Sequence, residues 1–347
     1  MRIAQVAPLF ESVPPSGYGG TERVVSYLTE ELVNQGHEVT LFASGDSATR
    51  AELVSCSERA LRLDPGCVDP IALHMVMVER VYQQADRFDV IHAHVDYLTY
   101  SLGRRTAVPT VTTLHGRLDL PQLVPVYEEF QEQHVISISD AQRRPLPCLS
   151  WQGTVHHGLP RDLYSFHPKP GDYLAFVGRV SPEKRLDRAI EIADAAGMEL
   201  RVAAKVDKVD REYFREVIEP VLRRNPRVQF GPEIDDAGKN ELLGNAYATL
   251  FPIDWPEPFG LIMIESLACG TPVVGWRCGS VPEVLEHGRT GFVCDDLDEA
   301  VAAVEDVASL DRTHCRRAFE ERFTAERMAE DYVRVYAGLS DREQRAA

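Results

Sequence analysis

Short apolar runs rich in β-branched residues alternate with longer amphipathic stretches along this chain, and they do so in two successive series. That rhythm predicts parallel strands joined by crossover helices. The first series is RIAQVAP (2–8), EVTLFA (38–43), DVIHAH (89–94), TVTTLH (110–115) and HVISIS (134–139); the second is YLAFVG (173–178), ELRVAA (199–204), ATLFPI (248–253) and PVVGW (272–276). After the first run a helix is expected from about Thr21, with Val24, Val25, Leu28, Leu32 and Val33 at helical spacing and Gly36 as its stop. Between the series lies HGLPRDLYSFHPKPG (157–171), with three prolines and no clear period, which reads as a linker. From about 297 onward the chain reads as helical to its end. At 347 residues it is too long for one ordinary core. The expected fold class is therefore α/β, two doubly wound domains in tandem.

Charge narrows the partners. A net charge of −17 argues against non-specific nucleic-acid binding, which requires Lys and Arg to neutralise phosphates. No stretch approaches the ~20 apolar residues of a membrane span, so no stable insertion is expected. Peripheral contact through the arginine pairs 104–105 and 143–144 stays open, although ordinary surface helix charge explains them. MRIAQVAPLF has too short an apolar run for a signal peptide. The seven cysteines include no C-x-x-C pair, which reads as free thiols in a reducing compartment. A cytoplasmic location is expected; oligomeric state is not indicated.

In doubly wound sheets ligands sit beyond the carboxyl ends of the strands, so the loops after each strand hold the candidates. SGYGGTERVV follows the first strand. Gly17, Gly19 and Gly20 there free the backbone to approach a ligand just before a helix, without forming the G-x-G-x-x-G fingerprint. The plain alternative is a flexible strand-to-helix loop. GRVSPEKRLD (178–187) follows YLAFVG, and Ser181 or Pro182 is the expected start of the next helix. Arg179 offers a planar fork and Lys184 a point charge, a pair suited to a diphosphate. The plain alternative is a solvated basic helix start. Lysines are scarce, five in all, and Lys205 falls in the loop after the next strand.

EPFGLIMIE (257–265) has a carboxylate at each end. A helix is expected from about Gly260, so the amides of Phe259, Gly260 and Leu261 would form an anion site. Carboxylates repel phosphate, so Glu257 and Glu265 are expected to accept hydrogen bonds from hydroxyls on either side of a diphosphate. A nucleotide sugar fits, with Glu265 on the ribose and Glu257 on the sugar. Acids favoured by the helix dipole are the plain alternative, and they leave the Pro-Phe-Gly between them unexplained.

GYGGTERVV, DVIHAH, TTLHG, GRVSPEKRLD, and above all PEPFGLIMIESLACGTPVV with GSVPEVLEHGRTGFV, together resemble the retaining glycosyltransferases of family 4, with the GT-B fold. The resemblance spans nearly the whole chain. It implies two Rossmann-like domains facing each other across a cleft: an acceptor-side domain at 1–163, a nucleotide-sugar-binding domain at 164–325, and a final helix at 326–347 packing back on the first. By matching position it places Arg179 and Lys184 on the diphosphate, Glu265 on ribose, and Glu257 and His115 at the transferred sugar. Gly19 and Gly20, with Gly178, Lys205 and the 259–261 amides, would complete the donor site. No cofactor or metal is implied, because basic side chains and dipoles stabilise the leaving diphosphate. The expected partners are a nucleotide sugar, UDP-glucose by default, and a hydroxyl-bearing acceptor.

Two stretches depart from the family pattern. HHGLPRD, with His157 and Pro160, stands where the family often has Asn-Gly-Val/Ile-Asp, which bears on the sugar or acceptor pocket. AKVDKVD replaces the usual glycine-and-acid turn, which bears on the base contacts. The expected chemistry is front-face transfer with retention; double displacement would need a nucleophile such as Asp96 or Asp119. Rival readings are a nucleotide-sugar epimerase on the same fold, a non-catalytic nucleotide-sugar binder, and a metal-dependent hydrolase using His92 and His94, which are two apart on a strand end.

Overall fold

The computed structural model describes residues 1–17 and 19–346. The chain divides into two compact units, one formed by Met1–Gly158 with Ala325–Ala347 and the other by Leu159–Thr324. Each is an α/β unit around a wholly parallel sheet.

In the first unit the strands are β1 (Arg2–Val6), β2 (Glu38–Ser44), β3 (Glu52–Ser57), β4 (Val90–Ala93), β5 (Thr110–Thr113), β6 (His134–Ser137) and β7 (Ser150–Thr154). They lie in the order β3-β2-β1-β4-β5-β6-β7. The order reverses between β1 and β4, where Gln5 stands opposite His92 in register. Ile3, Ala4, Val6, Val90, Ile91 and Ala93 are all buried, as in a parallel sheet covered on both faces. The helix Gly20–Asn34 turns Val24, Val25, Leu28 and Leu32 to the core, and His37 follows Gly36, which adopts φ +84° at the helix end. The closing helix Ala325–Ala346 belongs to this unit and buries Met328, Tyr332 and Tyr336.

The second unit holds β8 (Tyr173–Arg179), β9 (Glu199–Lys205), β10 (Val228–Gly231), β11 (Ala248–Phe251), β12 (Val273–Trp276) and β13 (Gly291–Cys294), in the order β10-β9-β8-β11-β12-β13. Here the order reverses between β8 and β11. Leu174, Phe176, Leu200 and Leu250 from the strands meet Leu186, Ile190 and Val304 from flanking helices in one core. Each such side chain contributes roughly 1.5–3 kcal/mol on leaving water. Arg312 is buried with no carboxylate partner among the described residues: its guanidinium donates to the carbonyls of His167 (2.7 Å), Ala246 (2.9 Å) and Gly244 (2.8 Å), and to Thr271 Oγ1. Burial pushes its basicity down, and the four acceptors share its charge.

One expected boundary moves. The helix that starts at Pro182, after Ser181, is a short 3-10 helix that stops at Lys184, and the α-helix begins later. A single tight turn, Pro182–Lys184, comes first, then Arg185 in the left-handed region at φ 56°, and the helix Leu186–Ala195 only after it. The turn keeps Lys184 over the sheet end rather than on a helix flank.

Candidate active site

In the second unit the mouth between β8 and β11 collects most of the expected donor-site residues. Arg179 ends β8 and stands opposite Lys205, which ends β9. Gly178, just before it, meets only the Phe176 ring at 3.9 Å where a side chain would sit, so the backbone above the strand end is open. Lys184, in the turn after β8, donates to Glu257 Oε2 in the loop after β11. Trp255 Nε1 donates to the same oxygen at 3.0 Å. The Lys184 ammonium also lies 5.2 Å from the Trp255 ring centroid and 5.7 Å from that of Phe251, a partly apolar setting that strengthens its charge interactions.

The other cations are held too. Arg179 Nη2 donates to Glu183 at 2.5 Å, with Asp210 at 3.7 Å and Asp207 at 4.0 Å. Lys205 lies 3.2 Å from Asp207. Burial works to raise the Glu183 carboxyl, but hydrogen bonds, among them the one from Arg179, outweigh it and hold the group below its usual value. Asp210 moves the other way, raised by burial.

EPFGLIMIE folds around its middle. Phe259 is buried, edge-on to Phe323. Gly260 then takes φ +80°, a conformation suited to glycine, and opens the helix Leu261–Cys269. No side chain caps this helix and no acid lies in its first turn, so the dipole reading of the two glutamates is set aside. Its opening amides, at Leu261 and beyond, form an uncapped helix N-terminus, the kind of position that anions favour. Glu265 sits a full turn in, almost buried, and accepts from Lys239 Nζ at 2.6 Å. Lys239 also lies 3.0 Å from Asp236, which accepts from the Tyr164 hydroxyl at 2.9 Å. Lys239 was not a sequence candidate; only its scarcity as a lysine pointed to it.

A second loop pins the first. Ser280 N donates to Glu257 O at 3.0 Å, Ser280 Oγ to Phe259 O at 2.6 Å, and Cys278 Sγ to Trp255 O at 2.9 Å. Gly279, at φ +55°, lies so close to Pro256 and Glu257 that a Cβ would overlap their backbone. This accounts for the glycine in GSVPEVLEHG.

In the first unit the β1–β4 mouth carries His115 and the glycine loop. Gly19 N-caps the helix Gly20–Asn34, with Pro15 and Glu11 so near that a Cβ would meet Pro15 Cβ at 2.9 Å. Glu22, in the first turn, is buried, and burial followed by the nearby Glu11 charge pushes its carboxyl up. His115, beyond β5, shares a 2.8 Å hydrogen bond with His94 Nδ1 and stacks on His157 at 5.3 Å. Burial drives His115 down to about 3 and holds His92, His94 and His157 well below the usual histidine range, so all four rings are neutral at pH 7.

The hydrolase reading fails on these partners. His92 and His94 share a face, their rings 4.1 Å apart, but their nitrogens bond Thr113, Tyr336, Gln5 and His115. Among the described residues no group of three or more His, Cys, Asp or Glu is arranged for a metal ion. Of the two nucleophile candidates, Asp119 takes a bidentate pair from Arg117 at 2.6 Å, and that hydrogen bonding lowers its carboxyl. Asp96 stands at φ 49° just past β4; its side chain keeps solvent contact, yet the atoms packed around it desolvate the carboxyl and push it up to about 6.

Comparison with known proteins agrees with this architecture. A family profile described as "Glycosyltransferase Family 4" matches residues 18–149, and one described as "Glycosyl transferases group 1" matches residues 165–322. The GDP-mannose-dependent alpha-(1-6)-phosphatidylinositol dimannoside mannosyltransferase of Mycobacterium tuberculosis is 28% identical, the alignment covering 98% of this chain and 97% of the relative. A local stretch of 89 residues is 37% identical to N-acetyl-alpha-D-glucosaminyl L-malate synthase of Bacillus anthracis, covering 23% of each. Among solved structures AviGT4, a glycosyltransferase involved in avilamycin A biosynthesis, superposes with a TM-score of 0.75 at 26% identity over 98% of each chain. No helix among the described residues is long and apolar enough to cross a membrane. The two matched regions, the paired Rossmann-like sheets and the full-length relatives converge: the chain is a GT-B glycosyltransferase and belongs to glycosyltransferase family 4.

Proposed function

We propose that the chain transfers a hexose from a nucleoside diphosphate sugar to an acceptor hydroxyl with retention of configuration and without a bound metal. The observation that carries this reading is the meeting of Lys184 and Glu257 over the β8–β11 mouth, beside the uncapped start of the Leu261–Cys269 helix. A diphosphate arriving there takes Lys184 from Glu257 and leaves that carboxylate for the sugar's hydroxyls. Arg179 and the helix amides supply the remaining positive charge, which substitutes for the charge a metal would bring. Glu265 accepts from the ribose, and His115 contacts the sugar.

The glycosidic C1–O bond to the diphosphate breaks as the acceptor oxygen bonds C1 from the same face. The acceptor's proton passes to the departing phosphate oxygen, so no enzymic nucleophile is required. Asp119 is committed to Arg117, which favours this route over double displacement. For the donor, UDP-glucose is the expectation from resemblance, and GDP-mannose is the donor in the M. tuberculosis relative's name; both belong in one test. Thermal shift with UDP-glucose, GDP-mannose and an ADP-sugar should give a rise in Tm for one of them, since a ligand of the native state alone stabilises it. That rise should be lost in Lys184→Ala. If no nucleotide sugar raises Tm in the unmodified protein, the reading fails. The anomeric configuration of the product, read by NMR, tests retention.

A further inference from the structure

The buried histidines of the first unit form an ordered chain whose direction can be derived. Gln5, His92 and His94 are buried, and the rings are neutral because burial disfavours their charged forms. A neutral imidazole has one N–H and one lone pair, so each link determines the next. Gln5 Oε1 lies 2.8 Å from His94 Nε2. A carbonyl oxygen only accepts, so His94 carries its proton on Nε2 and presents a lone pair at Nδ1. That atom is 2.8 Å from His115 Nε2, which must therefore be the donor.

The other end of Gln5 agrees. Its Nε2 faces His92 Nδ1 at 3.3 Å and the Tyr336 hydroxyl at 3.4 Å. Thr113 Oγ1 donates to the Tyr332 hydroxyl at 3.0 Å and so accepts from His92 Nε2, 2.7 Å away. The proton of His92 is then on Nε2, and its Nδ1 accepts from Tyr336, 2.7 Å away, and from the Gln5 amide. Both ends of the Gln5 amide thus meet a complementary partner, and the closing helix, through Tyr332 and Tyr336, holds the chain from beneath.

We propose that Gln5 and His94 are positioning residues that fix His115 as a neutral imidazole protonated on Nε2, so that its Nδ1 offers the sugar a hydrogen-bond acceptor. This rests on the reading above that His115 contacts the transferred sugar. It goes further in stating which kind of hydroxyl contact is made: the sugar donates to His115. A donor sugar whose facing hydroxyl is replaced by fluorine loses that contact, because fluorine has no proton to give.

The test begins with the unliganded protein. Nitrogen-15 NMR of the imidazoles at pH 7 should show His115 protonated at Nε2 and unprotonated at Nδ1; a proton on Nδ1 overturns the proposal whatever the donor proves to be. Gln5→Met keeps the volume but removes the acceptor for His94. In that variant His115 should become a mixture of tautomers and kcat should fall by about tenfold, the scale of one ordinary hydrogen bond. The Tm rise given by UDP or GDP alone, without a sugar, should match that of the unmodified protein, which separates a positioning role from general damage. Unchanged tautomer and unchanged kcat in Gln5→Met would also overturn it. A protein that binds no nucleotide at all would instead count against the donor reading, leaving the tautomer result standing.

Discussion

Lys184 is the hydrogen-bonding partner of Glu257, so the cation proposed for the diphosphate and the carboxylate proposed for the sugar are paired with one another. The two residues are 73 positions apart and meet only because β8 and β11 are neighbours at the reversal of strand order. Such a pair keeps a partly buried cation and anion mutually compensated.

That coupling has a kinetic signature. Lys184→Ala should lower turnover by about 10² to 10³, the effect of losing one preorganised charge at the leaving group. Glu257→Gln alone should also impair transfer. The double variant should lose less than the sum of the two in free-energy terms, because each single change leaves its partner uncompensated. Initial rates at saturating donor across the four proteins give the comparison; strict additivity would mean that the pair does not act as a unit.

Gly279 provides a test of the loop clamp away from any charge. Gly279→Ala combines an unfavourable φ of +55° with overlap on the Pro256–Glu257 backbone. The loop carrying Trp255 and Glu257 should shift, and kcat/KM should drop by about 100-fold or more, since small misplacements of positioning groups are costly. The stability loss should stay near 1–3 kcal/mol, the range for a backbone strain of this kind. Kinetics and urea melts on the same preparation separate the two effects. Full activity in a folded Gly279→Ala protein would remove the clamp from the account.

The sequence made the centre of each sheet legible and missed its margins. RIAQVAP, DVIHAH, YLAFVG and ATLFPI announce themselves because a parallel strand covered on both faces is a continuous apolar run. The strands that went unrecognised are β3, β7, β10 and β13, and all four are edge strands. ELVSCS and SWQGT show why: their residues are half-exposed or exposed for most of their length, so neither periodicity nor a buried run marks them. Arg179, Lys184, Glu257 and Glu265 could be proposed as candidates because each lies at a strand end, in a loop or near a helix start, next to a local sequence signal. Lys239 and Gln5 could not, since their meaning lies in partners 26 and 89 residues away. No local pattern encodes a contact between β1 and His94, or between one helix and the next. The departure at HHGLPRD likewise became readable only when His157 was found stacked on His115.

Asp96 should make stability depend on pH. Its carboxyl is raised by burial to about 6, above the unfolded value near 4. Between those values the native state binds more protons than the unfolded chain, so stability falls as pH rises through that window. Above about 6 the full loss is in place. Asp96→Asn removes it: the variant should melt higher than the unmodified protein at pH 7.5, and the gap should close by about pH 4. Because the carboxylate keeps solvent contact, screening reduces the size of the gap without changing its sign. Equal melting temperatures at both pH values would show that the crowding around Asp96 does not govern its charge.

In the proposed donor site, Lys239 should set how Glu265 meets a ribose. The carboxylate is buried and its Oε1 takes a 2.6 Å bond from Lys239, so under the proposed reading Oε2 is the oxygen offered to the ribose hydroxyls. Lys239→Met keeps the aliphatic stem and removes the charge, leaving a buried carboxylate uncompensated. The melting temperature should fall, with a destabilisation of about 3 kcal/mol typical of breaking such a pair. A purely structural role would stop there. If the pair orients Glu265 for ribose, the unmodified protein should prefer its nucleotide over the 2′,3′-dideoxy analogue by about ten- to a hundredfold, the worth of a hydrogen bond to a charged group. Lys239→Met should lose most of that preference while still binding the diphosphate. Titration calorimetry with the two nucleotides, at a temperature where the variant is folded, reads the ratio directly. A preference that survives the substitution would leave Lys239 as a stabilising residue only and detach it from donor recognition.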